Sequence, residues 1–366
     1  MKKSMHKIGI GLFLLLFSYS AQAKRTSEEL TKEIIETHKV TSNQKIEINT
    51  KFGELNITSW DKNEVGLDIK IKVKDNNEKK AQAILDRIRI EVVNTNDKFS
   101  VITHIDGNDE ELKIKTSKEG YLEINYNIKV PAKNLLDIKS SFGAFFIDRM
   151  DASTKLDMKF GAATIGELNG DQNDLNFEFC DPIVISKLYG GKIKMKFSKL
   201  ELLKSENLVL ASEMSGAKVE KVTKAQFNLR FGSLDLNEVM DLTLESQMSS
   251  VNIESLHGKG VIKNKYGSLK IAHVKSSTES LKIDGEFSPM KIMLDKSASY
   301  QVSAECKMSG IKLPAGSIQE EMEVETSRPA IKTNSSFKGR IGAKTDKMTN
   351  LTITSSFGEV KLSVTD

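Results

Sequence analysis

Hydrophobic and polar residues alternate along most of this chain. The stretch from Val65 to Val73 has an apolar residue at every second position, and so does Leu122 to Val130. An apolar period of two residues predicts β-strands that bury one face. The chain should therefore be rich in strands.

One short stretch follows a different period. Its apolar residues recur at i, i+3, i+4 and i+7, which is typical of an amphipathic helix, at Ala81, Ile84, Leu85 and Ile88. We predict a polar lead-in over residues 24–39 and a β-rich N-terminal region over 40–130, with a helix near 77–89.

From residue 131 to 366 the alternation is organised into a repeat of about 17–21 residues. Each unit carries an aromatic residue or Met, which we call the anchor, usually followed by a small residue. The anchors are Phe142, Phe160, Phe179, Phe197, Met214, Phe231, Met248, Tyr266, Phe287 and Met308, and Phe337 and Phe357 continue the series. Phe52 looks like an earlier, isolated copy. Such a period predicts a β-solenoid, in which each unit is one coil of two short strands joined at a bend.

The residue before each anchor alternates in charge. The series is Lys159, Glu178, Lys196, Glu213, Arg230, Gln247, Lys265, Glu286 and Lys307. If the coils stack in parallel register, opposite charges meet on the outer surface about 4.8 Å apart. Alternation continued through the bend places the anchors themselves in the interior, as a stacked internal ladder. We expect a parallel β-helix with anchors pointing in and charges pointing out.

The first 23 residues have the features of a secretory signal peptide. Basic residues precede an apolar run from Ile8 to Phe17, and Ala21-Gln22-Ala23 fits a cleavage site. Cleavage removes three lysines and no acid, so the formal charge falls from +4 to +1. We therefore expect an exported protein of the periplasm or cell surface, without a stable membrane span after cleavage and without a nucleic-acid role.

The two cysteines could form a disulfide in an oxidising compartment. Cys180 and Cys306 belong to coils that the repeat separates by seven steps, roughly 34 Å at 4.8 Å per coil. A disulfide needs Cα atoms within about 7 Å of each other. We predict two free thiols.

No motif in the sequence points to a reaction. The histidines are scattered and interpreted as solvent-facing turn residues, the recurring glycines lack the spacing of phosphate loops, and no G-x-S-x-G is present. Asp148 and Asp151, like Asp171 and Asp174, form no matched acid and base pair. We predict no enzyme, no catalytic, cofactor-binding or metal-binding residues, and no cofactor.

The chain resembles a bacterial adhesin-like β-strand-repeat family of unknown function. The resemblance rests on Lys51-Phe52-Gly53-Glu54-Leu55-Asn56-Ile57, on the strand from Tyr121 to Pro131, and on Ser141-Phe142-Gly143. It implies an exported parallel β-helix, and it carries over no catalytic residue. Cys180-Asp181-Pro182 and Ser288-Pro289 depart from the family's bend and suggest bulges or loops.

The sequence thus predicts a non-enzymatic envelope protein, adhesin-like or a scaffold, that binds an unknown envelope protein or glycan. Two alternatives remain. A self-associating filament would polymerise through an exposed C-terminal coil at Phe357. A polysaccharide-active β-helix enzyme would gather acidic residues in one groove.

Overall fold

The computed structural model describes residues 29–107, 120–321, 334–343, 345 and 347–365. The predicted signal peptide, residues 1–23, lies outside the described residues.

The described residues form one helix and 24 strands that belong to a single hydrogen-bonded sheet. The helix α1 spans Glu78–Asp86. The strands are β1 Glu29–Lys39, β2 Lys45–Lys51, β3 Leu55–Trp60, β4 Glu64–Lys74, β5 Ile88–Asn94, β6 Lys98–Ile105, β7 Tyr121–Pro131, β8 Leu136–Met150, β9 Thr154–Leu168, β10 Asn173–Lys196, β11 Lys199–Glu213, β12 Gly216–Arg230, β13 Ser233–Gln247, β14 Ser250–Leu256, β15 Lys259–Lys265, β16 Ser268–Val274, β17 Ser280–Glu286, β18 Met290–Leu294, β19 Tyr300–Lys307, β20 Ile311–Lys312, β21 Ile318–Glu321, β22 Asn334–Ile341, β23 Thr349–Ser356 and β24 Val360–Val364.

The middle of the molecule is a regular parallel stack. Strands β8 to β13 pair in sequence order, so that Leu136 lies opposite Thr154 and Ala217 lies opposite Leu234. Alternate apolar side chains from each strand are buried, such as Leu156 and Met158 in β9. The core is therefore a column of side chains enclosed by the two faces of each coil. The predicted all-β parallel solenoid with one N-terminal helix is confirmed.

The helix forms where its period indicated. Asn77 is the N-cap, and its side chain accepts hydrogen bonds from the backbone N–H groups of Lys79 and Lys80. Ala81 and Leu85 bury the apolar face.

The N-terminal end continues the stack and then closes it. Strands β2 and β3 lie in parallel beneath β8 and form the coil of Phe52. Strand β6 pairs in parallel with β2 on one face of the stack, and β7 pairs in parallel with β3 on the other. Antiparallel strands then complete each face, with β5 against β6 and with β4 and β1 beyond β7. The polar lead-in is thus ordered from Glu29 onward, because its backbone pairs along the edge of β4.

The C-terminal end does not follow sequence order. Strand β23 lies between β17 and β19 and is parallel to both, while β24 pairs with β18 and β20. The coil of Phe357 is therefore inserted between the coils of Phe287 and Met308. The filament alternative required an exposed C-terminal coil. The structure contradicts that exposure, because both edges of β23 are paired.

Antiparallel strands cover the far side of the Met308 coil. Strand β22 pairs with β19, and β21 pairs with β22. Phe337 lies in β22 and is buried, with an exposed fraction of 3%. The prediction that Phe337 belongs to the anchor series is wrong, since its strand runs antiparallel to the coils.

Both cysteines are free and buried. The inserted coil raises their separation from the predicted seven steps to eight. Burial raises the pKa of both thiols. A register shift between Cys180 and Ile183 confirms the bulge suggested at Cys180-Asp181-Pro182.

In the described part of the chain, no helix has the length and apolar character needed to cross a membrane.

Candidate functional site

The bends of the solenoid share an unusual backbone conformation. Among the described residues, twelve other than glycine have φ between 48° and 62°, and all of them are anchors. In stack order they are Phe52, Phe142, Phe160, Phe179, Phe197, Met214, Phe231, Met248, Tyr266, Phe287, Phe357 and Met308. This left-handed region is uncommon for side-chain-bearing residues, so a twelvefold repetition reflects a requirement of the bend.

The left-handed residue reverses the direction in which the side chains point. The residue before the anchor and the anchor itself both face outward, and the residue after the anchor faces the core. Exposed fractions of 42% for Phe179 and 51% for Phe357 span the range for the eleven anchors from Phe142 onward. The predicted internal ladder is therefore wrong. Strand alternation does not continue through a residue with positive φ.

The anchors stack on one another along the outside of the molecule, and we call this row the anchor ladder. Ring centroids lie 5.0 Å apart for Phe142 and Phe160 and 4.8 Å apart for Phe179 and Phe197. Interplanar angles of 4° show that these rings lie face to face. Stacking covers the ring faces between these neighbours and leaves their edges open to solvent. At about 4.8 Å per coil the twelve members extend over roughly 50 Å.

Small residues after the anchor allow the coils to meet at the bend. A Cβ on Gly143 would lie 1.6 Å from the carbonyl oxygen of Gly53. Where serine occupies this position, its hydroxyl serves the neighbouring coil. The N–H groups of Cys180 and Ser198 donate to the Oγ atoms of Ser198 and Ser215, each at 3.0 Å. These hydroxyls accept hydrogen bonds from backbone N–H groups that the bend removes from the hydrogen-bond pattern of the sheet.

One border of the anchor ladder is the predicted column of alternating charges. Lys159 pairs with Glu178 at 2.7 Å, and Lys196 pairs with Glu213 at 3.0 Å. The hydrogen bond that Lys159 donates to Glu178 raises the pKa of Lys159. The outward charge column is confirmed as far as Glu286, but its predicted last step is wrong, because Ser356 of the inserted coil lies between Glu286 and Lys307. Because neighbouring charges cancel, this border presents little net charge.

The other border carries mostly small and uncharged residues. They point outward two positions after the anchor, and they include Ala144, Ala162, Gly216, Ser233, Ser250 and Ser268. Short side chains leave the anchor ladder accessible from this side. The result is a long apolar strip, larger in extent than the scattered apolar residues that are normal on a protein surface.

An open groove of 730 Å³ lies on the face that precedes the bends. Lys192, Lys224 and Lys259 line it together with Asp174 and Asp241. The side-chain atom Oδ1 of Asp174 is buried without a hydrogen-bond partner among the described residues. The groove has the size of a ligand site, but no residue pair in it combines a nucleophile or acid with an oriented base.

The four histidines outside the predicted signal peptide do not converge. His38, His104 and His273 lie on strands beside Glu36, Glu91 and Glu254 respectively, with nitrogen–oxygen distances of 2.8, 2.6 and 3.6 Å. The predicted turn positions are therefore wrong for these three. Within the residues that the structure describes, no group of three or more His, Cys, Asp or Glu side chains could hold a metal ion.

Sequence reasoning found the members of the anchor ladder but not its orientation. A signal was available, because the glycine or serine that follows almost every anchor at a bend is compatible with a left-handed residue. The same pattern also fits a buried aromatic beside a tight turn.

Comparison with known proteins identifies a family. The sequence model of the family described as Toastrack DUF4097 matches residues 43–347. No protein of curated function matches the chain in sequence at a significant level.

Several solved structures are similar to the chain. A "putative cell adhesion protein" from Clostridium sporogenes has 14% sequence identity and a TM-score of 0.20, and the match covers 92% of this chain and 100% of that one. A "putative adhesin" from Parabacteroides merdae has 13% identity and a TM-score of 0.33, with coverage of 92% and 97%. A "putative lipid binding protein" from Parabacteroides distasonis has 11% identity and a TM-score of 0.27, with coverage of 93% and 98%.

Proposed function

Because the chain belongs to the Toastrack DUF4097 family, whose model matches residues 43–347, we propose that it is an exported, non-enzymatic binding module of the bacterial envelope. Its anchor ladder packs against a partner protein at the cell surface. The observation that carries this proposal is the row of twelve outward-facing anchors at the bends. A strip of this kind is expensive to leave in water and is typical of an interaction surface.

The geometry of the rings favours a protein partner over a sugar. Sugars stack on the faces of aromatic rings, but here most rings stack on a neighbouring ring that covers the face between them, as in the pair Phe160 and Phe179 at 5.1 Å. The open ring edges and the methionine side chains of Met214 and Met248 suit packing against apolar side chains.

Binding to intact cells of the bacterium that encodes the chain tests the proposal. The fluorescently labelled chain, residues 24–366, is applied to untreated cells, to trypsin-shaved cells and to periodate-treated cells. The test variant carries Phe160→Asn, Phe179→Asn and Phe197→Asn, because asparagine tolerates positive φ. The control carries Leu203→Asn, Val209→Asn and Met240→Asn, which replace exposed apolar residues outside the anchor ladder.

We expect saturable binding that trypsin removes and periodate spares. The ladder variant should bind at least tenfold less than the control variant, with both retaining the circular dichroism of the parent chain. Equal binding by the two variants, or binding lost only after periodate, would contradict the proposal. Polysaccharide turnover that a single Asp or Glu substitution abolishes would instead support the enzyme alternative.

A further inference from the structure

Four lysines form a row on the outer face that follows the bends. They are Lys270 of β16, Lys291 of β18, Lys361 of β24 and Lys312 of β20, and we call this row the lysine column. Lys270 lies opposite Lys291, and Lys291 lies opposite Lys361. Lys361 in turn lies opposite Lys312. Neighbouring strands are about 4.8 Å apart, so the four positions extend over roughly 15 Å.

The lysine column departs from the charge pattern of the rest of this face. In earlier coils the same column of positions holds Glu201, Lys218, Asp235 and Asn252. Lys218 pairs with Glu201 at 3.4 Å, and the Asn252 amide donates to Asp235 at 2.8 Å. Like charges opposite one another on a sheet are destabilising. A run of four lysines therefore costs stability that alternating residues would have avoided.

Few counter-charges accompany the lysine column. Among the described residues only Lys312 has a carboxylate within 4 Å, namely Glu359 at 2.6 Å. The hydrogen bond from Lys312 lowers the pKa of Glu359, with added attraction from Lys361 and Lys291. Glu359 is thus a single negative charge against four positive ones.

Apart from Glu359, the side chains beside the lysine column are uncharged. Ser268 and Pro289 point outward on one side of it, and Ala272 and Met293 on the other. No aromatic side chain flanks the column within the described residues, so it lacks the stacking platform that single-stranded nucleic acids use. The surface presents a straight row of flexible point charges.

We propose that the lysine column binds a linear acidic polysaccharide that carries a carboxylate on successive sugars and lies along the axis of the stack. The coil spacing is close to the length of one sugar ring, so each carboxylate meets one or two ammonium groups. The site lies on a different surface from the anchor ladder, and its test does not depend on the partner proposed there.

Fluorescence anisotropy with labelled polygalacturonate tests this site on the chain of residues 24–366. The test variant carries Lys270→Gln, Lys291→Gln and Lys361→Gln. The control variant carries Lys139→Gln, Lys194→Gln and Lys282→Gln, which remove the same charge from the opposite face. Neutral dextran, single-stranded oligothymidylate and phosphatidylglycerol vesicles are the comparison probes.

We expect the parent chain to bind polygalacturonate, and the affinity should fall about tenfold or more between 50 and 200 mM salt. The test variant should lose at least tenfold in affinity, and the control variant should stay within twofold. No binding of polygalacturonate, or equal losses in the two variants, would overturn the proposal. Tighter binding of oligothymidylate or of the vesicles than of polygalacturonate would also overturn it.

Discussion

The middle of the stack and its two ends are built on different rules. From β8 to β13 every coil repeats the same bend and the same parallel pairing, and the outward charge before the anchor alternates in sign from one coil to the next. At each end the pairing becomes antiparallel, with β4 and β5 at one end and β22 at the other. A parallel coil leaves an open edge that invites a further coil, whereas an antiparallel strand interrupts the pattern.

The middle and the ends therefore differ in which contacts specify the fold. The middle is set by a local rule that each coil satisfies with its immediate neighbours. The ends depend on contacts between segments distant in sequence, such as β23 with β17 and β19. A change made at the ends can therefore be judged against the middle of the stack, and a change made in the middle against the ends.

Removing residues 349–366 should have the largest effect. The deletion takes away the buried side chains of Leu351, Ile353, Val360 and Leu362, which amounts to about 6–12 kcal/mol of transfer free energy. It also leaves β17 and β19 with open parallel edges. We expect residues 280–312 to lose hydrogen-exchange protection and the chain to aggregate in light scattering, while β9 to β13 stay protected.

A chain that begins at residue 40 is the matched control for this deletion. It lacks β1, which pairs only with β4 and buries little apolar surface. The control should remain monomeric with a modest loss of stability. If the two deletions caused equal losses of hydrogen-exchange protection and equal aggregation, β23 and β24 would be ordinary edge strands.

Alkaline pH should destabilise the ends before the middle. Burial raises the pKa of Tyr126 at one end and of Tyr300 at the other to about 12. A raised tyrosine pKa means that its contribution to stability is complete below pH 10 and is lost as pH rises through about 12. For Tyr126 the shift corresponds to about 2–3 kcal/mol.

Denaturant unfolding at pH 8 and pH 11.5 measures this effect. Tyr126→Phe should cost about 1 kcal/mol at pH 8, because it removes the hydrogen bond between Tyr126 and Thr103. Between the two pH values it should lose less stability than the parent chain. Tyr266→Phe is the control, since Tyr266 is half exposed in the anchor ladder, and it should follow the parent. An unchanged pH dependence in Tyr126→Phe would contradict the assignment of the alkaline loss of stability to the ionisation of Tyr126.

The left-handed bend can be separated from ring stacking in the anchor ladder. Phe160→Ala and Phe160→Gly both remove the ring between Phe142 and Phe179, but only glycine adopts positive φ without a steric cost. Thermal unfolding should show the alanine variant about 1 kcal/mol less stable than the glycine variant. Equal stabilities, or a more stable alanine variant, would argue against strain at the bend.

The smallest effect should come from the charge column in the middle. Glu178→Lys places a lysine beside Lys159 and replaces a 2.7 Å ion pair with a repulsion. We expect a loss of about 0.2–1 kcal/mol at low salt, most of which 0.5 M salt should restore by screening. Glu178→Gln should lie between the parent and the lysine variant. A loss that is insensitive to salt would point to packing instead of charge.

The sequence predicted those features that each coil decides locally. Alternation located the buried Leu156 and Met158, the i, i+4 spacing of Ala81 and Leu85 located α1, and the outward charges at Lys159 and Glu178 followed from strand geometry. The orientation of the anchors was missed because one positive φ reverses alternation, and alternation alone does not reveal it.

The non-local features could not be read in this way. Phe337 has the local surroundings of an anchor, yet its strand runs antiparallel to the coils. The insertion of β23 depends on a return of the chain over more than 40 residues. The lysine column depends on that insertion too, since Lys361 stands between Lys291 and Lys312 only in the folded stack.

The inserted coil also constrains the order in which the molecule can be completed. During synthesis the coils from β8 to β18 can form one after another as they emerge, each on the one before. The coil of β19 and β20 has no finished neighbour at that time, because its place beside β17 and β18 is taken by a segment made some 40 residues later. Growth of the solenoid by simple addition therefore stops at β18. The part of the fold from β19 onward becomes a single cooperative closing step that waits for residues 349–364.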